Sequence, residues 1–220
     1  MRDAALKRDS FIKRNLTIIA PTLVFIVFFI IGGILFRNFF TLRVLLNLLT
    51  NNAFLGLAAV GMTVVIISGG IDLSVGAVIS TTAMVIAVLD RSGVAAPLAI
   101  AIAILFATGL GFLMGLMIQY FEAPPFIVTL AGMFFARGLG YVVSLSSIPV
   151  KGPFYHAMSM AGLRFEGGAK LTVPAMIFLF MVLVTWYLLK YTKFGRTCYA
   201  MGGNEQSAFL MGCQCRGPRF

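Results

Sequence analysis

Long apolar runs alternate with short polar breaks along this chain, and the run lengths predict membrane helices. A helix needs about 20 apolar residues to cross ~30 Å of hydrocarbon. Leu16 to Phe36 is the first such run, and a polar connection from Arg37 to Arg43 follows it. A second span is expected within Val44 to Ser68, with Asn47, Asn51 and Asn52 at its interfacial start. Leu73 to Leu89 makes a shorter third span, Asp90 to Pro97 a turn, and Leu98 to Phe121 a fourth span. Pro124 and Pro125 suit the first turn of a fifth helix, where a missing N–H costs nothing. Ser144 to Lys170 is the longest polar segment between spans. Leu171 to Leu189 is the sixth span, with Trp186 and Tyr187 placed for an interfacial belt. The pattern predicts an all-α, polytopic transmembrane bundle of about six spans. It divides into a basic tail (1–15), a transmembrane domain (16–189), a polar segment (190–212) and a C-terminal tail (213–220).

The pattern is most sharply interrupted between Gly61 and Gly76, which reads G-M-T-V-V-I-I-S-G-G-I-D-L-S-V-G. Apolar residues run to Ile67, then Ser68, Gly69 and Gly70 break the run, and Asp72 precedes a new one. An unpaired carboxylate and unsatisfied backbone are both costly in hydrocarbon, so this stretch reads as a break between two helices. Asp72 is a good N-cap for the helix that follows, with Ser74 just behind it. Two readings stand: a tight capped turn, or a break set against a substrate path.

Two further features bear on packing and chemistry. Ala107, Gly111 and Gly115 recur every four residues, as do Gly132, Ala136 and Gly140, and such stripes let helix backbones approach closely in lipid. Arg137 lies 12 residues past Pro125, about 18 Å along the helix at the α-helical rise. It either snorkels to an interface or faces the bundle interior, where a charge suggests a pathway or an ion pair.

Composition agrees with the pattern. Hydrophobic residues make up 60% and charged residues 11%, and mean hydropathy is +1.00. The net charge of +10 would suggest nucleic acid in a soluble protein, but the basic residues flank apolar spans, so none is expected as a partner. Ten of them lie in the terminal segments and six in the connections on the other side, which predicts cytoplasmic termini and an outer 144–170 segment. Leu16–Phe36 is longer than a signal-peptide core and reads as a retained anchor. Cys198 stands alone in the sequence, and Cys213 with Cys215 lacks a second ligand pair, so no metal or other cofactor is expected. His156, the single histidine, leaves no Ser/His/Asp set, which argues against an enzyme.

Three stretches carry a resemblance. S-G-G-I-D-L-S-V-G after G-M-T-V-V-I-I, P-P-F-I-V-T-L-A-G-M-F-F-A-R-G from Pro124 to Gly138, and F-G-R-T-C-Y-A-M-G-G-N-E-Q-S-A from Phe194 to Ala208 occur in order. Together they resemble the inner-membrane permease subunits of bacterial ABC importers for monosaccharides, the ribose, arabinose, galactose and galactofuranose permeases, with the galactofuranose type nearest. The resemblance covers about residue 15 to Gly212.

It implies a chain that forms part of a sugar path in the bacterial inner membrane, with both termini cytoplasmic. The implied partners are an ABC ATPase subunit, an extracytoplasmic sugar-binding protein, a second permease subunit and the bilayer. The chain has no G-x-x-x-x-G-K-[ST] loop, so the ATPase is expected to be separate. Gly69, Gly70, Asp72, Ser74 and Arg137 are the candidates for the path or helix break. Gly202, Gly203, Asn204, Glu205 and Ala208 are the candidates for a segment coupled to the ATPase, a short helix capped by Asn204 after a Gly202-Gly203 division. The alternative is an ion-coupled secondary carrier or channel using Asp72, Glu122 and Arg137 as a relay. The likeness fades after Met211-Gly212, where family members continue with more helices, so the chain is expected to be the N-terminal part of a permease.

Overall fold

The structure is a computed structural model that describes residues 2–165 and 168–203. Its elements in chain order are α1 (Arg2–Leu35), α2 (Leu42–Asn51), α3 (Ala53–Ile67), α4 (Val75–Arg91), α5 (Ala96–Phe121), α6 (Pro125–Val143), α7 (Pro153–Met160), β1 (Gly162–Arg164), β2 (Lys170–Thr172), α8 (Val173–Tyr191) and α9 (Lys193–Gly203). The apolar runs became helices, and prolines sit in the first turns of α5, α6, α7 and α8, where their missing N–H groups cost nothing. The two three-residue strands pair with each other, β1 within the 144–170 segment, which also holds α7, and β2 running from its end into α8.

Among the described residues, four helices are long and apolar enough to cross a membrane: the 18–35 part of α1, α5, α6 and α8. The broken pair α2 and α3 makes a fifth if counted as one span. This is fewer than the six expected. The difference is α4, which has 17 residues because the break retains Leu73 and Ser74, and which spans about 25 Å at 1.5 Å per residue. At the other terminus, the boundary expected at residue 15 is no break in secondary structure, since α1 runs unbroken from Arg2.

The chain divides into two compact units, one holding the residues up to Leu48 with Arg164–Lys170, the other Leu49–Leu163 and the chain from Leu171. In the first, the turn after α1 folds back on the helix. Phe29 meets Phe39 and Phe40 edge-on, each at 5.3 Å between ring centres, and the bare faces of Gly32 and Gly33 receive those two rings.

The second unit carries the site. Its helices pack in two parallel pairs. Thr172, just before α8, and Thr50, in the last turn of α2 just before α3, share a hydroxyl hydrogen bond of 3.0 Å, and Phe178 of α8 lies on the bare face of Gly56 of α3. In the other pair, Thr129 of α6 approaches the Ile71 carbonyl before α4, and Thr81 of α4 approaches the Ala136 carbonyl of α6. Ala53, Ala77, Ala87, Ala99, Ala103, Ala136 and Ala175 are buried, and the largest fully buried side chains are Thr81 and Ser74. Phenylalanines and leucines point outward instead, as in α5, where Leu105 and Phe121 are exposed. Such an interior follows when the surroundings are as apolar as the side chains: close backbone contact and hydrogen bonds hold helices together, not burial of bulk.

The two small-residue stripes fare differently. On α6, Gly132 admits Met114 of α5, Ala136 is buried, and Gly140 lies against Thr81 and Met84 of α4. On α5, Gly111 and Gly115 face open space. The close face of α5 is instead Ala99 and Ala103, both buried, one and two turns earlier.

Candidate functional site

The break after α3 forms because its backbone cannot continue as helix. Ser68 closes α3, its N–H on the Val64 carbonyl, and Gly69 then takes φ +84°, a left-handed conformation that glycine adopts without steric cost. The N–H groups of Gly69 and Gly70 turn back to the Ile66 and Val65 carbonyls, so the end of α3 is satisfied within the break.

Asp72 does not cap α4. The N-cap position is Ser74, and the helix begins at Val75. One Asp72 carboxylate oxygen accepts the Ser74 N–H at 2.8 Å and the Ser74 hydroxyl at 2.6 Å. That is an Asx turn, which fixes the residue that starts the helix rather than the helix itself. Sequence spacing alone could not separate the two, because Asp at N-cap and Asp two residues earlier leave the same pattern. Ser74 is almost fully buried by this arrangement.

The break is fastened from two sides. Thr129, in the first turns of α6, places its hydroxyl 3.2 Å from the Ile71 carbonyl and 2.8 Å from that of Pro125. On the other side lies the end of α9, where Gly202 packs against the Ile67 carbonyl. Gly69, Gly70, Asp72 and Ser74 therefore stand together at the α9 end of the unit.

Arg137 is not with them. It lies eight residues beyond Thr129 on α6, about 12 Å along the axis. There it helps line a cleft of about 230 Å³ between α4 and α6, with Gly76, Ala77, Ser80, Thr81, Met84, Gly140 and Tyr141. Thr81 closes the floor: its hydroxyl is 2.7 Å from the Ala136 carbonyl and 2.9 Å from the Ala77 carbonyl, and its single proton serves one at a time. The bare face of Gly140 lets it approach. Ser80 and Tyr141 were not singled out in the sequence, although Ser80 follows Gly76 by four residues and Tyr141 follows Arg137 by four, the helical signal for one face. The cleft can offer hydroxyls, a guanidinium and an aromatic ring to a polar solute, and no carboxylate lines it.

At the other end of the unit, the Asp90 carboxylate accepts the backbone N–H groups of Lys151 and Gly152 at 3.0 and 3.1 Å. It ties the end of α4 to the start of α7 beside a broader polar basin of about 710 Å³. Burial, and secondarily the Asp90 charge, push the nearby Tyr155 hydroxyl above its ordinary range. His156 sits exposed on α7.

Within α9, Gly195 and Cys198 are buried. Gly195 packs on the backbone of Leu189, and burial pushes the Cys198 thiol up, which leaves it a packing group. Gly202 and Gly203 are the last described residues of α9. Asn204, Glu205 and Ala208, like Cys213 and Cys215, lie outside the described residues. Among the described residues, no ion pair joins Asp72, Glu122 and Arg137, and Glu122 ends α5 in a left-handed conformation at φ 52°. No cluster of metal-ligating side chains occurs among them either.

Residues 44–218 match the family described as branched-chain amino acid transport system / permease component. The chain is 43% identical over 206 residues to the inner membrane ABC transporter permease protein YjfF of Escherichia coli K12, covering 93% of this chain and 62% of the relative. It is 35% identical to the fructose import permease protein FruG of Bifidobacterium longum, over 94% of this chain and 63% of that one. The ribose import permease protein RbsC of Bacillus subtilis is 38% identical, over 88% and 60%. The chain thus spans about three fifths of the length of these relatives. No solved structure matches.

Proposed function

The chain belongs to the branched-chain amino acid transport system / permease component family, and from that premise we propose that it is the permease subunit of an ATP-driven importer of monosaccharides. It is a multi-pass membrane protein. The α4–α6 cleft forms part of the sugar path, with Ser80, Arg137 and Tyr141 as its polar contacts. An ABC ATPase docks at the α9 end, where Gly202, Gly203, Asn204, Glu205 and Ala208 form the coupling segment. An extracytoplasmic sugar-binding protein delivers the solute at the Asp90–Lys151 end, and a second permease subunit completes the path in the bilayer.

The observation that carries this reading is the lining of the cleft. An amino acid brings an ammonium group, which is costly to desolvate and is best stabilised by an opposite charge. Hydroxyls and one guanidinium suit a neutral polyol instead. The relatives named for fructose and ribose favour the same class over the amino acids of the family description. Gly69, Gly70, Asp72 and Ser74 serve the path indirectly, by setting where α4 begins.

For orientation, we take α4 as a crossing despite its 17 residues, within the range of about 17–25 for spanning helices. It starts beside α9 and ends at the Asp90 clasp, and counting it with the others restores an even number and cytoplasmic termini. The ten-to-six basic bias favours the same side.

The test is uptake of radiolabelled ribose, fructose and galactose into proteoliposomes holding the chain and its co-purifying ATPase and binding protein. ATP-dependent uptake of one sugar, not competed by leucine, is expected. Uptake that ignores ATP but follows a proton gradient would replace the proposal with the secondary carrier.

A further inference from the structure

Gly202 and Gly203 are neighbours in sequence with opposite surroundings. A methyl group on Gly203 would meet none of the described residues within 4 Å, whereas one on Gly202 would run into the Ile67 carbonyl oxygen and come within 3.3 Å of the Gly69 nitrogen. From the other side, a methyl group on Gly69 would lie 3.4 Å from the Gly202 α-carbon. Two backbones touch here with no side chain between them. Gly195, Cys198 and Gly202 follow one another at helical spacing, so a single face of α9 is pressed on the end of α8 and on the end of α3. Phe194 and Tyr199, which flank this face, and Arg196 are exposed.

What Gly202 touches is not a rigid helix. Ile67 is the last residue of α3, Gly69 is in a glycine-favoured conformation, and the next five residues, 70–74, carry no helical hydrogen-bond ladder before Val75. Beyond them, the Ile71 carbonyl meets Thr129 of α6, and Asp72 fixes Ser74 at the head of α4. The break therefore touches α9 on one side and both walls of the cleft on the other.

We propose that the Gly202 contact is the joint of the permease: displacement of α9 is taken up by the break at residues 68–74, which turns α4 against α6 and opens or closes the cleft between them. Gly202 and Gly69 are positioning residues in this scheme: a backbone contact with no side chain between passes a small shift on to the packed helices as rigid-body motion. The proposal rests on the assignment of α9 as the ATPase-facing segment, and it names the element that receives the push.

The experiment compares Gly202→Ala with Gly109→Ala, a glycine of α5 where an added methyl group would meet no described residue within 4 Å, in proteoliposomes with the co-purifying ATPase, reading ATP hydrolysis and ribose uptake together. Gly202→Ala is expected to keep ATPase binding and hydrolysis while uptake falls by about tenfold or more, as for other small misplacements of a working geometry. Gly109→Ala is expected to change neither. A second readout places nitroxide labels on Ile79→Cys of α4 and Phe134→Cys of α6, with Cys198, Cys213 and Cys215 replaced. The interlabel distance should shift when the ATPase and a non-hydrolysable ATP analogue are added, and Gly202→Ala should abolish the shift. If Gly202→Ala does not insert, the labels on the otherwise unaltered chain decide by their response to nucleotide. Equal uptake by the two alanine variants, or a label distance indifferent to nucleotide while the ATPase is bound, overturns the joint alone. Failure of the ATPase to associate with the unsubstituted chain overturns the joint together with the reading beneath it.

Discussion

α5 and α6 carry small residues at the same four-residue spacing, yet only one of the stripes is used between described helices. Gly132, Ala136 and Gly140 of α6 meet α5 and α4, while Gly111 and Gly115 of α5 meet open space. Small residues permit close approach, but they do not choose a partner. What accompanies the packed stripe is a polar handle. The Thr81 hydroxyl crosses from α4 to the Ala136 carbonyl, and the Thr129 hydroxyl reaches from α6 to the Ile71 carbonyl. In a surrounding as apolar as the side chains, such hydrogen bonds and the close contact beneath them supply the preference that hydrophobic burial cannot.

The comparison can be broken most forcefully at Ala136, which has no exposed surface. Ala136→Leu forces the α4–α6 pair apart and is expected to cost about 1–3 kcal/mol, read as a lower midpoint in detergent-mediated unfolding. Gly115→Leu, at a position where a Cβ meets none of the described residues, should not lower the midpoint, since leucine is the better helix former. Equal losses at both would mean that the α5 stripe is packed after all.

Asp72 separates fixing from charge. Asp72→Asn keeps an acceptor for Ser74, whereas Asp72→Leu removes it and should cost about 0.5–2 kcal/mol of local stability at the head of α4. Amide hydrogen exchange over residues 74–78 would register the difference. Faster exchange in both variants would show that the charge, not the acceptor, does the fixing.

Thr81→Val gives the smallest effect. It keeps shape and deletes the hydroxyl shared between Ala77 and Ala136, and interhelical hydrogen bonds in membranes average about 0.6 kcal/mol. A loss no larger than that of Thr82→Val, whose hydroxyl bonds only within its own helix to the Val78 carbonyl, would remove the polar handle from the account.

The sequence carried the helices because run length is a one-dimensional signal. The break at Ser68–Ser74 was equally legible, since Gly-Gly followed by Asp cannot continue an apolar helix. What the break does was not legible. Asp72 binds Ser74 instead of capping α4, and a shift of two residues leaves no trace in the pattern. Arg137 was legible as an intramembrane charge, but its companions Ser80 and Tyr141 come from two helices whose register is set by Thr81 and Gly140. Nor could spacing tell Gly202 from Gly203, because only the path of α3 decides which of them is crowded.

The central claim is that the cleft between α4 and α6 is part of a sugar path, and thiol accessibility tests it most directly. Ser80→Cys and, for contrast, Gly111→Cys are introduced with Cys198, Cys213 and Cys215 replaced. Each is then treated in proteoliposomes with a membrane-impermeant thiol reagent, with and without saturating transported sugar. The account predicts that Ser80→Cys reacts, that the sugar slows the reaction, and that Gly111→Cys stays unreactive against lipid. A Ser80→Cys thiol that never reacts, or one that reacts at the same rate with the sugar present, would contradict it.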